Sequence, residues 1–313
     1  MPPMYRLFAN GPRAVIEAAW DVLAWSDPTP ADAVDAKEDG RTAWTLDAYA
    51  RDEDAAKACI ALVATVAPEL NLRYEELEDR DWVTQSLEGL PPVEAGPFIV
   101  AGSHALTQSA PGKVGVLIEA GPAFGTGHHG TTLGCLLGLE HVMRQRRVVK
   151  VLDLGTGSGV LSIAALKVGA KRAIGTDIDA DSVRVAYENA AKNNVANRFQ
   201  GAVCAGSHHT LVQSGAPYDT VFANILARPL VRLAPEIHRM TSPGGHIILS
   251  GLLRHQEPQV IGAFSGRNLS LITRFHRDGW STLLFQKPKR TSAKRSTNRI
   301  SRQRKLSKAP IAR

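Results

Sequence analysis

The chain has 313 residues, a formal net charge of +7 and 44% hydrophobic residues, a length that suits about two domains of roughly 100–200 residues each. No apolar run reaches the roughly 18 residues that a transmembrane helix needs, and the start lacks the basic and apolar regions of a secretory signal. Three scattered cysteines form neither a disulfide framework nor a zinc motif, and they suit a reduced, cytoplasmic compartment.

Charge is unevenly distributed along the chain. Residues 1–76 carry 7 basic and 14 acidic side chains, residues 77–286 carry a net charge of +3, and residues 287–313 carry 11 basic and no acidic side chains. An acidic front favours a basic partner over nucleic acid. The basic tail has almost no apolar pattern and is predicted to be disordered.

Residues 1–76 are predicted to form a ferredoxin-like α+β domain. The runs MYRLFAN, PRAVIEAAWDVLAW, AVDAKED with TAWTLDAYA, DEDAAKACIALVATVA and LNLRYEEL predict a strand, a helix, a hairpin of two strands, a helix and a strand. The order βαββαβ is that of ferredoxin-like domains. Residues 77–120 follow as a connector with short strands, indicated by the proline and glycine pattern of GLPPVEAGPFIVAGSH.

From residue 121 to 286 the pattern changes to apolar strands that alternate with helices. The runs VVKVLDLG, RAIGTDID, YDTVFANIL and GGHIILSGL are near-continuous apolar segments, typical of a parallel sheet covered on both faces. STLLFQK is predicted as the last strand. The expected fold class is α/β, a Rossmann-like sheet with helices on both faces, preceded by the small ferredoxin-like domain.

A glycine loop follows the first of these strands. In VLDLGTGSG the spacing from Gly155 to Gly159 is G-x-G-x-G. A nicotinamide or flavin fingerprint requires G-x-G-x-x-G and a Walker loop requires Gly-Lys-Ser/Thr, so neither is matched. A ligand that approaches the loop backbone closely is one interpretation, and a tight strand-to-helix turn is the other.

Two polar residues at strand ends favour a ligand site. Asp177 lies 22 residues after Gly155, at the tip of the next strand, where an acid accepts hydrogen bonds from both ribose hydroxyls of an adenosine. Asp179 or Asp181 is expected to cap the helix that follows. Asn224 follows a later apolar strand, at the edge where open α/β sheets bind ligands, and its amide can hold an amine; a turn-forming asparagine is the alternative.

Together these motifs resemble those of class I S-adenosylmethionine-dependent methyltransferases. The runs AFGTGHHGTT, VLDLGTGSGVLSIAALKVGA, GTDID, ENAAKNN and FANILARPLVRLAP are similar to those of the ribosomal protein L11 methyltransferases, the PrmA family. The resemblance is strong over residues 121–286, and the front domain matches the family's substrate-recognition domain more loosely. AFGTG ahead of the glycine loop and NIL in place of N-P-P-Y make the motif set specific.

The resemblance implies roles for single residues. Positions that match cofactor-contacting or cofactor-adjacent positions of the family are Thr132, Gly155, Gly157, Asp177, Asn224, Phe124 and Thr126. Asn224 is in addition the predicted catalytic residue, which positions the target amine. The chain departs from the family at Glu119-Ala120-Gly121, where Asp-Pro-Gly is usual, and at His128-His129-Gly130, where Thr-His-Pro is usual; these departures loosen the loop without removing the chemistry.

The run GPAFGTGHHGTT, from Gly121 to Thr132, allows three interpretations: a phosphate cradle, a metal site or a cover over a ligand. No metal is predicted, because a tetrahedral site needs three or four protein ligands and no cluster of them lies near His128 and His129 in sequence. The inferred ligand carries no phosphate. The run is therefore predicted to be a mobile loop that folds over S-adenosylmethionine, with Thr131 or Thr132 capping the next helix.

The resemblance implies N-methylation of lysine side chains and of the N-terminal amine of ribosomal protein L11. The acidic front is expected to steer this basic protein, so its affinity should fall as ionic strength rises. Alternatives are an RNA N-methyltransferase, suggested by the basic tail, and a non-catalytic ribosome assembly factor; a dinucleotide oxidoreductase is disfavoured by the glycine spacing. The large ribosomal subunit is a further candidate partner, and contact of the basic tail with nucleic acid stays open. No membrane partner is expected. The protein is predicted to be a monomer.

Overall fold

The computed structural model describes residues 4–26, 28–31, 33–39, 43–77, 92–106, 112–119, 130–277 and 279–289. The predicted cofactor residues Phe124 and Thr126, the pair His128 and His129, and the basic tail from residue 290 lie outside the described residues. No helix in these ranges is long and apolar enough to cross a membrane.

The first sheet has the ferredoxin-like strand order that the sequence predicts. Its strands are all antiparallel, in the order β2-β3-β1-β4. Asp52 caps the second helix by accepting a hydrogen bond from the Ala55 N–H, and alternate residues of β1 are buried beneath the helices. The elements are β1 (Met4–Pro12), α1 (Arg13–Trp25), β2 (Ala33–Asp39), β3 (Ala43–Ala50), α2 (Glu53–Ala64) and β4 (Arg73–Leu77).

A second, three-stranded sheet lies in the predicted connector. Strand β6 pairs antiparallel with β5 and parallel with β7. Phe98 and Val116 belong to the same apolar cluster as residues of the third sheet and its helices, so these strands pack on the larger sheet. The domain boundaries at 76, 120 and 286 stay a prediction. The elements are β5 (Val93–Ala95), β6 (Phe98–Ala101), α3 (Ser103–Leu106) and β7 (Val114–Leu117).

The third sheet has seven strands in the order β10-β9-β8-β11-β12-β14-β13. Its pairs are parallel from β10 to β12, whereas β14 runs antiparallel to both of its neighbours. This arrangement confirms the predicted, mostly parallel α/β sheet. The strands are β8 (Lys150–Leu154), β9 (Arg172–Asp177), β10 (Phe199–Val203), β11 (Tyr218–Asn224), β12 (Thr241–Leu253), β13 (Ser270–Arg277) and β14 (Trp280–Gln286).

Six α-helices of the described residues accompany this sheet. Their buried residues form two apolar clusters with the strands, as expected for a sheet covered on both faces. Asp179 caps α6 by accepting from the backbone N–H groups of Asp181 and Ser182, which confirms the predicted cap. The helices are α4 (Gly130–Gln145), α5 (Val160–Lys167), α6 (Ala180–Lys192), α7 (Thr210–Gly215), α8 (Ala227–Met240) and α9 (Glu257–Ser265).

Two expectations need correction. Helix α4 already begins at Gly130, so Thr131 and Thr132 lie inside its first turn; the prediction that one of them caps the helix, and that the loop extends to Thr132, was wrong. Strands β10 and β13 were not predicted. Both are edge strands with exposed positions, so neither shows the continuous apolar run of a strand buried on both faces.

The ferredoxin-like domain packs against the carboxyl end of the seven-stranded sheet. Leu253 and Trp280 belong to the apolar cluster of that domain, and the Trp20 and Trp280 rings meet edge to face with centroids 5.5 Å apart. Asp21 of α1 accepts a hydrogen bond from Gln256 Nε2 and contacts His255. The front domain thereby adjoins the edge where ligands of such sheets bind.

Candidate active site

The predicted site residues from three neighbouring strands meet at one edge of the seven-stranded sheet. Leu154, the last residue of β8, is in register with Thr176 of β9 and Ala223 of β11. The residues that follow them at the carboxyl edge are Gly155, Asp177 and Asn224. The structure therefore brings together positions that are up to about 70 residues apart in sequence.

The glycine loop is held tightly against β9. The backbone N–H groups of Gly155 and Thr156 both donate to the Thr176 carbonyl, at 2.8 and 2.9 Å. Gly155 has φ +70°, a left-handed conformation that favours glycine, and a Cβ at this position would overlap the Ile225 side chain. The loop thus needs a glycine at its first position for two independent reasons.

Asp177 contacts the same loop through its carboxylate. Oδ2 accepts from the Gly157 N–H at 2.9 Å, and Oδ1 accepts from the Asp179 N–H at 3.2 Å. Burial raises the pKa of Asp177, while these backbone hydrogen bonds lower it in part. Each carboxylate oxygen keeps a further acceptor site, so the group can still accept from two neighbouring hydroxyls. The Gly157 N–H already donates to the carboxylate, which disfavours a phosphate here.

Thr132 and Asn224 each present a buried polar atom to this region. Thr132 Oγ1 and Asn224 Oδ1 are inaccessible to solvent and have no hydrogen-bond partner among the described residues. Leaving a buried donor or acceptor unsatisfied costs about 1–3 kcal/mol, so such atoms indicate where a ligand would bind. The first turns of α4 reach this level of the sheet, because a Cβ at Gly134 would overlap the Thr282 hydroxyl of β14.

Asp153 is a site residue that the sequence analysis missed. It is 1% exposed in β8, and its Oδ2 accepts from the hydroxyls of Thr156 and Ser162 at 2.8 and 2.9 Å. Oδ1 lacks a partner in the described part of the chain, and burial raises the pKa of the carboxyl to about 6. The signal was present as an acid within the apolar run VLDLG.

Ile178 was also missed. It directly follows Asp177 and is 78% exposed, which is unusual for a large apolar side chain. The neighbouring Val203, at the end of β10, is 49% exposed and is in register with Asp177. Ile178 and Val203 thus form an apolar surface beside the Asp177 carboxylate, which suits two neighbouring hydroxyls of a sugar. Such a surface fits a flat, weakly polar ring such as a nucleobase.

These features fit S-adenosylmethionine. The carboxylate of Asp177 suits a ribose diol, Ile178 and Val203 offer apolar surface, and the glycine loop permits close approach of a ligand to the backbone. Thr132 Oγ1 and Asn224 Oδ1, which lack a hydrogen-bond partner among the described residues, could bond to polar groups of a ligand or substrate.

Known proteins that are similar to this chain are ribosomal protein L11 methyltransferases. The chain matches a family model described as ribosomal protein L11 methyltransferase (PrmA) over residues 17–288. A ribosomal protein L11 methyltransferase of Caulobacter sp. is 42% identical over 288 residues, which are 90% of this chain and 98% of the relative. Its counterpart in Rhizobium leguminosarum bv. trifolii is 46% identical over 240 residues, 77% of this chain and 80% of the relative.

The fold is shared with solved structures of methyltransferases, among them a ribosomal protein L11 methylase. The crystal structure of a ribosomal protein L11 methylase from Lactobacillus delbrueckii subsp. bulgaricus aligns with a TM-score of 0.56 and 28% identity. The alignment covers 64% of this chain and all of that one.

Proposed function

Since this chain belongs to the ribosomal protein L11 methyltransferase family, we propose that it binds S-adenosylmethionine at the carboxyl edge of its seven-stranded sheet and methylates amines of ribosomal protein L11. Membership of the family makes the chain a protein methyltransferase. The observation that carries the placement of the site is the meeting of Asp177, the glycine loop, and the unpaired buried atoms of Thr132 and Asn224 at one sheet edge.

Two side chains and the backbone of one loop would hold the cofactor. Asp177 would accept from the ribose hydroxyls, and the loop that begins at Gly155 would lie against the ligand with its backbone. Thr132 Oγ1 would hydrogen-bond a polar group of the ligand. Phe124 and Thr126, outside the described residues, stay predicted cofactor neighbours. When bound, S-adenosylmethionine supplies an electrophilic methyl group.

Asn224 would position the amine that is methylated. Its Oδ1 is a buried acceptor with no partner among the described residues, so it can accept an N–H from the target amine and direct the nitrogen lone pair away from itself. Holding two reacting groups about 3–3.5 Å apart in line is a large part of the catalytic effect in such transfers. No side chain is assigned as a general base.

The target amine must lose its proton before it can react. An α-amino group, with a pKa of about 7.7–8.0, is partly neutral at physiological pH, whereas a lysine, at about 10.4, is almost fully charged. Transfer of a lysine from water into the narrow edge of the sheet would lower its pKa. The proposal therefore includes both the N-terminal amine and lysine side chains as targets.

Ribosomal protein L11 is the proposed substrate because the relatives carry it in their names. The acidic front domain would attract a basic protein toward the adjoining edge of the sheet. A cytoplasmic location accords with a ribosomal substrate. Action on the large ribosomal subunit, nucleic-acid contact by the tail and a monomeric state remain proposals.

The test uses labelled S-adenosylmethionine with total ribosomal protein and ribosomal RNA. We expect label on a single small protein, ribosomal protein L11, and none on RNA. Replacing Asn224 by alanine should reduce turnover by about 100-fold, since a misplaced reacting group costs about that factor. Asn197→Ala is the matched control, because Asn197 is an exposed asparagine remote from this edge.

Three results would contradict the proposal. Label on RNA would favour an RNA N-methyltransferase, and no label with any component would favour an assembly factor. Equal turnover of the Asn224→Ala and Asn197→Ala variants would remove Asn224 from the site.

A further inference from the structure

Asn189, near the end of α6, and Asn193, which directly follows that helix as its C-cap, are four residues apart and are 1% and 6% exposed. They belong to the run ENAAKNN, to which the proposed cofactor and amine contacts assign no role. A side-chain amide has two donor hydrogens and an acceptor oxygen, and buried polar atoms are almost always paired. The partners of the two amides therefore show what they hold in place.

Asn189 holds the glycine loop from behind. Its Nδ2 donates to the Ser158 carbonyl at 2.9 Å. Ser158 lies between Gly157, whose N–H donates to Asp177, and Gly159, which begins the turn into α5. Helix α6 packs directly on this turn, since a Cβ at Gly159 would lie 3.0 Å from the Ala186 Cβ.

Asn193 takes the place of a strand partner for the end of β7. The Leu117 N–H donates to Asn193 Oδ1 at 2.9 Å, and Asn193 Nδ2 donates to the Leu117 carbonyl at 2.6 Å. On its other side, β7 pairs with β6, and the Ile118 N–H donates to the Ala101 carbonyl at 3.0 Å. Both backbone groups of Leu117 are thus satisfied by one side chain, as a neighbouring strand would satisfy them.

The two asparagines are linked to each other. Asn193 Nδ2 also donates to the backbone carbonyl of Asn189 at 2.8 Å, and Lys167 Nζ donates to Asn193 Oδ1 at 3.3 Å. Asn189 and Asn193 therefore connect the Gly155–Gly159 loop and strand β7 through a continuous set of buried and partly buried hydrogen bonds. Strand β7 ends at Leu117, and the sequence continues into the glycine-rich segment that leads to Thr132.

We propose that Asn193, together with Asn189, is a positioning residue for the cofactor. The pair fixes β7 relative to the glycine loop, and this fixed spacing sets the affinity for S-adenosylmethionine. The inference rests on the proposed function, because it takes S-adenosylmethionine as the ligand of that loop. Both residues act through backbone groups, so they affect cofactor binding and leave recognition of the protein substrate unchanged.

The test measures S-adenosylmethionine binding to the full-length protein by calorimetry, together with the KM for the cofactor and the KM for ribosomal protein L11. Asn193→Ala removes all four hydrogen bonds of the Asn193 amide. Asn193→Asp keeps its shape and its acceptor but loses both donated hydrogen bonds, to the Leu117 and Asn189 carbonyls. Asn189→Ala removes the contact with Ser158. We expect each variant to bind the cofactor at least about tenfold more weakly, with the KM for the protein substrate changed less than about twofold.

Thr241→Val is the matched control for lost stability. Thr241 is 1% exposed, and its hydroxyl donates to the Ile237 carbonyl at 2.7 Å, at the opposite end of β12 from the site. We expect this variant to melt at a lower temperature while it binds the cofactor like the unchanged protein. Asn193→Asp and Asn189→Ala keep the test decisive should Asn193→Ala fail to fold.

Cofactor affinity equal to that of the unchanged protein in Asn193→Asp and Asn189→Ala would overturn this inference alone. A parallel rise in the KM for both substrates would also overturn it, because it would indicate a general loss of structure. Failure of the unchanged protein to bind S-adenosylmethionine would overturn the proposed function and this inference together.

Discussion

At the scale of single residues, Asp153 shows how a buried charge supports the site. It is 1% exposed, and the hydroxyls of Thr156 and Ser162 both donate to its Oδ2. One carboxylate oxygen thereby ties the glycine loop to the first turn of α5. The cost is the removal of a carboxylate from water, which raises its pKa from 3.8 to about 6.

We predict that Asp153→Asn changes the pH dependence of stability. The folded protein holds the Asp153 proton more tightly than the unfolded chain does. The stability that this carboxyl contributes is therefore fully present below its unfolded pKa of about 3.8. It is lost as the pH rises through about 6. Between about pH 4.5 and about pH 7.5, the free energy of unfolding of Asp153→Asn should rise relative to the unchanged protein by about 2 kcal/mol. Urea unfolding at the two pH values measures this, and a constant difference between the two proteins would show that Asp153 does not titrate in this range.

At the scale of elements, the loop between β8 and α5 depends on what surrounds it as well as on its backbone conformation. Gly155 and Gly169 both have positive φ angles, +70° and +104°. A Cβ at Gly169 would meet no atom within 4 Å, whereas one at Gly155 would overlap Ile225. Ile225 directly follows Asn224, so the side chain that lies against the loop belongs to the neighbour of the proposed amine-binding residue.

We predict that Gly155→Ala destabilises the protein more than Gly169→Ala and also weakens cofactor binding. Both variants acquire left-handed strain of about 1–2 kcal/mol, and overlap with Ile225 should add about 1–3 kcal/mol in Gly155→Ala. Denaturant unfolding and calorimetry with S-adenosylmethionine measure the two effects. Gly169→Ala should bind S-adenosylmethionine like the unchanged protein. Equal losses of cofactor affinity in the two variants would contradict a specific role for the loop between β8 and α5.

At the scale of the whole molecule, the front domain is joined to the catalytic sheet by an apolar contact with a polar rim. Trp20 packs on Trp280, and Leu253 lies in the same cluster. At the rim, His255 Nε2 lies 2.8 Å from Asp21 Oδ2. The hydrogen bond to Asp21 raises the pKa of His255, and Coulomb attraction to Asp21 and Glu17 adds to it, against burial and the nearby Arg13.

We predict that this rim stabilises the domain contact more at low pH than at high pH. A histidine whose pKa is raised on folding stabilises the folded protein fully below its unfolded pKa of about 6.5. This stabilisation is lost as the pH rises through the higher pKa of the folded state. His255→Gln should therefore lower the melting temperature more at about pH 6 than at about pH 8.5. The difference should be at most about 2 °C, because the pair is partly exposed.

Asp21→Asn tests the other side of the same pair. The new amide oxygen can still accept from Gln256 Nε2, so Asp21→Asn should reproduce the pH dependence of His255→Gln. The double variant should be no less stable at about pH 6 than the less stable of the two single variants. If the melting temperatures of the variants and of the unchanged protein depend on pH in the same way, there is no charged pair at this contact.

Much of the fold followed from the sequence alone. The alternating pattern of β1 to β3 and the apolar runs of β8, β9, β11 and β12 are local signals, since burial on one or both faces sets the residue pattern of a strand. The same is true of Gly155, Asp177 and Asn224, because a strand end is recognisable from the run before it. Edge strands β10 and β13 lack such a signal, and a threonine near a helix start does not reveal in which turn it lies.

What only the tertiary structure decided are the relations between distant segments. The sequence placed an acid in VLDLG and two asparagines in ENAAKNN, but whether these polar side chains are buried, and which carbonyl or hydroxyl each one reaches, depends on packing across the sheet. The contact between Trp20 and Trp280 likewise joins residues that no local pattern relates. Local residue patterns determined the elements and the chemistry at the strand ends, while burial and hydrogen bonding between segments determined how that chemistry is held in place.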